Sequence, residues 1–359
     1  MIATTVYGFE DICARELVSF GAKILQIMDG KVVFEGNLDL IYAINMGSRT
    51  VHRVGLLIDM GDFTSLEEIK QKLSRVDFSN YIGKDCTFEV RFKRFGVHNF
   101  RSIDANSAIG AVIHSQGYKV NLTQPDVSFK GWIHGNRFYF CLDTTGESLH
   151  RRNYRVCNHP APLRPTIAAL MSMWLSWKDT MLDPFCGSGT ILVEGLWERL
   201  RYPPNVDRKF AFEKLAFFDR EYMLEIRERL LEGVSNGNFR AVGVELFKKH
   251  VDCCRRILRA AGVEDKAVCV HGDGCMYCQT FDGSWIITNP PYGLRISSAK
   301  KATALMKRFA NVLRSHFSGT AIVITPSNQI ENLLSDCANI DKRIIRYGDL
   351  WVRVYRITL

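Results

Sequence analysis

The stretch Met181–Gly195, MLDPFCGSGTILVEG, limits what this chain can fold into more than any other. It reads as the end of a buried strand, a tight glycine turn and the start of a helix. Gly187 and Gly189 lack a Cβ, so the backbone can turn sharply and approach a ligand closely. Ser188 and Thr190 are expected to cap the new helix. The first N–H groups of that helix point beyond the strand. In an open parallel α/β sheet, ligands bind outside the carboxyl ends of the strands. A cofactor is therefore expected here, held by Asp183, Phe185, Gly187, Gly189 and Thr190.

The spacing narrows the cofactor. A dinucleotide fingerprint would need a glycine where Leu192 stands. A P-loop would need a lysine, and none is present in the turn. The carboxylate of Asp183 suits a cationic ligand, such as the amino end of S-adenosylmethionine.

A second strand-and-corner follows later, Ser284–Gly293, SWIITNPPYG. Proline has a fixed φ and no N–H, so Pro290 and Pro291 make a stiff segment. The carbonyl of Pro290 and the side-chain oxygen of Asn289 are expected to accept hydrogens from one exocyclic amine. Tyr292 is expected to stack on the base that carries it. Arg295 and a basic helix come next.

Together the two corners resemble the S-adenosylmethionine-dependent amino-methyltransferases, whose fourth motif is N/D/S-P-P-Y/F/W. The resemblance implies methyl transfer to an exocyclic nitrogen of a base, with Asn289, Pro290 and Tyr292 catalytic and Asn289 also near the cofactor. It assigns Glu245, ending the strand from Ala241, to the ribose hydroxyls. It assigns Asp273, beside Gly274, to the adenine amine. His271 reads as structural. Cys275–Cys278 is a C-x-x-C without a second pair, and Cys253, Cys254 and Cys269 have the wrong spacing for zinc. No metal is expected.

Composition sets the partner class. A net charge of +9 suggests a polyanion. Residues 84–160 carry 11 Lys/Arg against 6 Asp/Glu, and residues 300–359 carry 10 against 4, so the excess lies outside the expected cofactor site. No apolar run is long enough for a membrane span, and no signal peptide is apparent. The 11 cysteines are scattered along the chain, which suits reduced thiols in a cytoplasmic protein. A monomer is expected.

Residues 1–60 read β-α-β-β-α-β, a ferredoxin-like pattern, with a hairpin turn at Asp29-Gly30. Residues 61–150 continue as α+β. There Lys93, Arg94, His98, Asn99 and Arg101 interleave with Phe92, Phe95 and Phe100, as an RNA-contacting edge or as a solvated loop over a core. The run Leu142–Arg155, LDTTGESLHRRNYR, is similar to the close of a THUMP domain, with Asn153 in place of the usual glycine. That resemblance implies RNA binding at the CCA end of tRNA. Arg151, Arg152, Arg155 and Arg164 are expected to line the passage into the next domain. Ala161–Thr166 resembles the family's lead-in to a helix, Ile167–Trp177, that packs near the cofactor. An insert at 198–240 is long for a βαβ unit and carries no evident role.

The expected partition is 1–60 ferredoxin-like, 61–150 THUMP, 151–177 linker and lead-in helix, and 178–359 a Rossmann-like methyltransferase with a mostly parallel seven-stranded sheet. The whole chain resembles the THUMP-domain tRNA guanosine-N2 methyltransferases that act on the sixth nucleotide, in the acceptor stem. Enzymes acting on the tenth nucleotide usually have Asp where Asn289 stands. Ribosomal RNA guanosine-N2 methyltransferases, adenine-N6 DNA methyltransferases and a non-catalytic RNA-binding protein remain alternatives.

Overall fold

The computed structural model describes residues 1–160, 162–292 and 299–359. Ala161, Gly293 and Arg295 lie outside the described residues. Two sheets organise the chain. The first holds β1 (Ile2–Thr4), β2 (Lys23–Met28), β3 (Lys31–Glu35), β4 (Arg53–Asp62), β5 (Thr87–Phe95), β6 (Lys119–Val120), β7 (Val127–His134) and β8 (Arg137–Asp143). Its strand order is β2-β3-β1-β4-β8-β7-β5-β6. Antiparallel pairing of β4 with β8 fuses the ferredoxin-like and THUMP-like portions into one surface. Helices α1 (Glu10–Ser19), α2 (Asp39–Gly47), α3 (Leu66–Ser74) and α4 (Ser102–Ser115) pack against it.

The lead-in helix α5 (Pro165–Leu175) starts with proline at its first position, where the missing N–H is no loss. The second sheet holds β9 (Thr180–Asp183), β10 (Arg240–Glu245), β11 (Ala267–His271), β12 (Trp285–Thr288), β13 (Thr320–Thr325), β14 (Asn339–Tyr347) and β15 (Leu350–Thr358). Its order is β11-β10-β9-β12-β13-β15-β14. The first five strands in that order are parallel, and β15 runs antiparallel to β13. Helices α6 (Thr190–Arg199), α7 (Arg220–Glu232), α8 (Lys248–Ala260), α9 (Gly274–Cys278), α10 (Ala299–His316) and α11 (Gln329–Leu334) complete the chain. All six residues of β13 are buried, as both covered faces of such a sheet require.

The insert has a structural role that its sequence did not disclose. Val206, Phe210, Phe212, Leu215 and Ile226 join the apolar core of the N-terminal sheet, not that of their own domain. The N–H of Phe212 donates to the carbonyl of Thr144 at 2.9 Å, and that of Asn205 to Met46 at 3.0 Å. The segment is a clasp between the two sheets.

A buried ion pair locks the same junction. Arg152 donates to both carboxylate oxygens of Glu194, at 3.1 and 3.3 Å. Its other donors meet Leu149 O, Asn205 Oδ1 and Arg49 O. Tyr154 adds its hydroxyl to Glu194 at 2.9 Å. Both side chains of the pair are 0% exposed, so Arg152, expected to line the passage into the next domain, is instead sealed inside the junction. Its sequence neighbour Arg151 is exposed and pairs with Glu147.

Candidate active site

The order of the second sheet reverses at β9. From there the chain adds β10 and β11 on one side and β12 on the other. That is the topological switch point, where a crevice opens between strand tips. A cavity of about 620 Å³ lies there, and both sequence corners line it.

The glycine turn follows β9. Gly187 and Gly189 have φ of +54° and +82°, a region that disfavours side chains. Gly189 is itself the N-cap of α6, and no side chain caps that helix. The expectation that Ser188 or Thr190 caps it is corrected: Thr190 begins the helix. The positive φ puts a residue without a side-chain acceptor at the cap. The first turn of α6 thus has no side-chain cap, and its Thr190 and Ile191 line the cavity.

Asp183 is buried at the end of β9. Its Oδ1 accepts from the Thr288 hydroxyl at 2.7 Å and from the Phe185 N–H at 3.1 Å. Burial pushes its carboxyl up to about 7, against the pull of those two bonds. The Thr288 bond ties the β9 corner to the β12 corner. Thr288 gave no signal in sequence beyond standing next to Asn289.

Glu245 ends β10, buried, with Oε1 accepting from the Phe247 N–H at 2.8 Å. Asp273 caps α9 through Oδ1, accepting from Cys275 and Met276, and its Oδ2 pairs with Arg308 at 2.6 Å. A carboxylate has about four acceptor positions, so capacity remains on Asp273. Gly274 is needed for close approach: a Cβ there would sit 1.8 Å from the Pro184 carbonyl oxygen. Phe185 stacks edge-on against Phe309 at 5.2 Å.

At the second corner Pro290 is buried and Asn289 and Tyr292 are half-buried. The Tyr292 hydroxyl donates to Asn289 Oδ1, which sequence reasoning did not foresee. The expectation gave Tyr292 only a stacking role. Burial raises its phenol, with Tyr347 facing it. The opposite wall includes His150, Arg155, His159, Arg164 and Tyr347. Arg164 lies over the Tyr347 ring, 5.4 Å from its centroid. Arg155 donates to the Leu163 carbonyl. Of the four expected passage arginines, Arg155 and Arg164 reach the cavity.

His271 Nε2–H donates to the Leu246 carbonyl at 3.0 Å, and the residue does not line the cavity. Cys275 and Cys278 are buried in α9. Cys157 and Cys253, 96 residues apart, form a disulfide, so the expectation of uniformly reduced thiols is corrected for that pair. The bond joins the lead-in segment to α8, a proximity that scattered spacing hides.

The basic–aromatic segment of residues 92–101 divides. Phe92 is in the core, while exposed Phe95 stacks on His134 at 4.5 Å with Lys31 over its ring. Arg101 is held by Asp104. Lys93 is exposed. Among the described residues no helix is long and apolar enough to cross a membrane.

The crevice fits S-adenosylmethionine on chemical grounds: an uncapped helix start over a glycine turn, a buried carboxylate for a cationic group, and acidic ends on the next two strands. The fold and the paired corners define a Rossmann-like methyltransferase joined to an N-terminal α+β module. Comparison with family models agrees. Residues 152–352 match the RMKL-like methyltransferase domain, residues 1–55 the RlmL ferredoxin-like domain and residues 63–143 the THUMP domain. The chain belongs to the RMKL-like methyltransferase family. It is 33% identical to the tRNA (guanine(6)-N2)-methyltransferase of Methanocaldococcus jannaschii, over 98% of each chain. It is likewise 33% identical to the Archaeoglobus fulgidus protein of the same description, over 98% of this chain and 90% of that one. The ribosomal RNA large subunit methyltransferase K/L of Aliivibrio fischeri is 28% identical over 91% of this chain, which spans 49% of that relative. A solved structure described as a possible methylase from Clostridium difficile 630 superposes with TM-score 0.88 at 26% identity, covering 99% of this chain and 97% of that one.

Proposed function

We propose that this protein transfers the methyl group of S-adenosylmethionine to the exocyclic N2 of a guanosine in tRNA, at the sixth nucleotide, in the acceptor stem. The observation that carries the reading is the Asn289–Tyr292 corner, bonded through Thr288 to the Asp183 corner across one crevice. Full-length similarity to two tRNA (guanine(6)-N2)-methyltransferases supports the substrate.

S-adenosylmethionine supplies a methyl group already activated on sulfur. The protein's part is to position the amine in line with it. The Asn289 side-chain oxygen has two acceptor positions, and Tyr292 uses one. The other, with the Pro290 carbonyl, accepts the two hydrogens of the guanine amine. Those bonds draw the nitrogen lone pair out of the ring and hold the positive charge that develops on it as the carbon–sulfur bond breaks and S-adenosylhomocysteine leaves; one of the two amine protons then passes to solvent. A paired guanosine must leave its helix to reach the crevice, and the Tyr292 ring supports it there. Asp183 holds the amino end of the cofactor, Glu245 its ribose and Asp273 its adenine amine, with Phe185, Gly187, Gly189, Thr190 and Gly274 shaping the cradle. The N-terminal sheet holds the tRNA by its CCA end. We further assign the protein to the cytoplasm, as a monomer, with the domain limits given above.

The test is to incubate the protein with labelled cofactor and separate bulk tRNA and ribosomal RNA, then map the product by mass spectrometry. N2-methylguanosine at the sixth position of tRNA is expected. Label confined to ribosomal RNA, or found on adenosine, would overturn the assignment.

A further inference from the structure

Three cysteines with no shared sequence motif meet beneath the glycine turn. Cys186 belongs to the turn itself, Cys254 to α8 and Cys269 to β11. All three are buried and none is in a disulfide. Their sulfurs lie within 4.8 Å of one another, and Cys186 and Cys269 are 3.7 Å apart. Three small apolar side chains in a core would be indifferent to whether sulfur met sulfur. Here three separate elements turn their thiols to one point.

We propose that Cys186, Cys254 and Cys269 form a three-thiolate site for zinc(II), which fastens the cofactor turn to α8 and β11. Zinc–sulfur bonds of about 2.3 Å around a tetrahedral centre separate the sulfurs by about 3.8 Å. The observed spacing reaches that geometry with small side-chain rotations. Thiolates are soft ligands and select zinc over the hard cations. With three protein ligands, the fourth position goes to water. Each ligand still protonated surrenders its proton to bulk water as the zinc–sulfur bond forms, so no oxidant or reductant takes part.

A cation stands close to the cluster. The Arg255 guanidinium donates to the Cys269 carbonyl at 3.3 Å. The site is also sterically continuous with the turn: a Cβ on Gly189 would lie 2.6 Å from the Cys254 sulfur. A metal held here therefore stiffens the cradle from below, through Cys186, which lines the cavity. The inference is independent of which base is methylated.

The test uses the full chain, stripped of metal, with its free thiols counted. Zinc is titrated against a chromophoric chelator, and cobalt(II) serves as a spectroscopic stand-in. One equivalent of zinc should bind with submicromolar affinity and release protons. Cobalt should give thiolate charge-transfer absorption of a strength matching three sulfurs. C186S, C254S and C269S should each weaken zinc binding at least a hundredfold, and C337S, at the exposed free cysteine, should leave it unchanged. Absence of tight zinc binding by the intact protein with its thiols free would overturn the proposal. So would binding that survives all three substitutions. Should a serine variant fail to fold by circular dichroism, the cobalt spectrum of the unaltered protein decides alone.

Discussion

The two sheets of this protein carry information in opposite ways. In the seven-stranded sheet the site is built at strand tips, each by a short local run: Asp183 to Thr190 after β9, Glu245 after β10, Asp273 after β11 and Asn289 to Tyr292 after β12. The eight-stranded sheet is arranged otherwise. Its basic and aromatic groups meet only across strands, as Lys31, Phe95 and His134 come from β3, β5 and β7. Positioning one methyl acceptor requires a few atoms fixed at one point. Holding a folded RNA requires a broad shape and charge. The first leaves compact motifs and the second does not.

The clasp and the Arg152–Glu194 pair make that division less clean than it looks, and breaking them should have the largest effect. Arg152→Ala leaves Glu194 buried and unpaired, which should destabilise the protein by roughly 3–5 kcal/mol. Denaturant unfolding measures this; a change under 1 kcal/mol would mean that solvent reaches Glu194. Phe212→Ala should remove about 3–5 kcal/mol by emptying a core position shared by the insert and the N-terminal sheet. If instead it unfolds only the N-terminal half, in a separate transition, the two sheets are independent units.

Next come changes that separate chemistry from binding. Asn289→Ala should slow methyl transfer by on the order of tenfold to a thousandfold while cofactor affinity survives. Unchanged turnover in single-turnover assays removes Asn289 from the reaction. Glu245→Ala should weaken cofactor binding by about tenfold, the loss of charged hydrogen bonds. Calorimetry checks this, and an unaltered constant rules out the ribose role.

The smallest effect is a pH dependence. Burial raises Asp183 from 3.8 to about 7, so the native state without ligand favours the protonated acid. Its contribution to stability is present below the unfolded value and is lost as pH rises through about 7. A cationic ligand favours the carboxylate instead. Cofactor affinity should therefore rise with pH up to about 7, by no more than about tenfold per unit. Asp183→Asn should flatten that slope. An equal slope in the variant assigns the titration to another group.

Much of the site was legible because strand, turn and helix start are consecutive in the chain. The glycine turn, the Asn-Pro-Pro-Tyr corner, the acidic ends of β10 and β11 and the β2–β3 hairpin could be read in order. Local stiffness and local conformation are properties of neighbouring residues. Arg152 misled because it stands beside Arg151 among the arginines expected to line the passage, while its burial depends on Glu194, 42 residues on.

By itself the sequence determined the order of elements, the turns that demand glycine and proline, and the side chains at the strand tips. Tertiary structure alone decided which tips are adjacent, that the insert serves the opposite sheet, that Tyr292 bonds to Asn289, and that three distant cysteines share one point. The reason is range. Backbone preference acts over a few residues, whereas burial and pairing join groups whose separation along the chain places no limit on their approach in space.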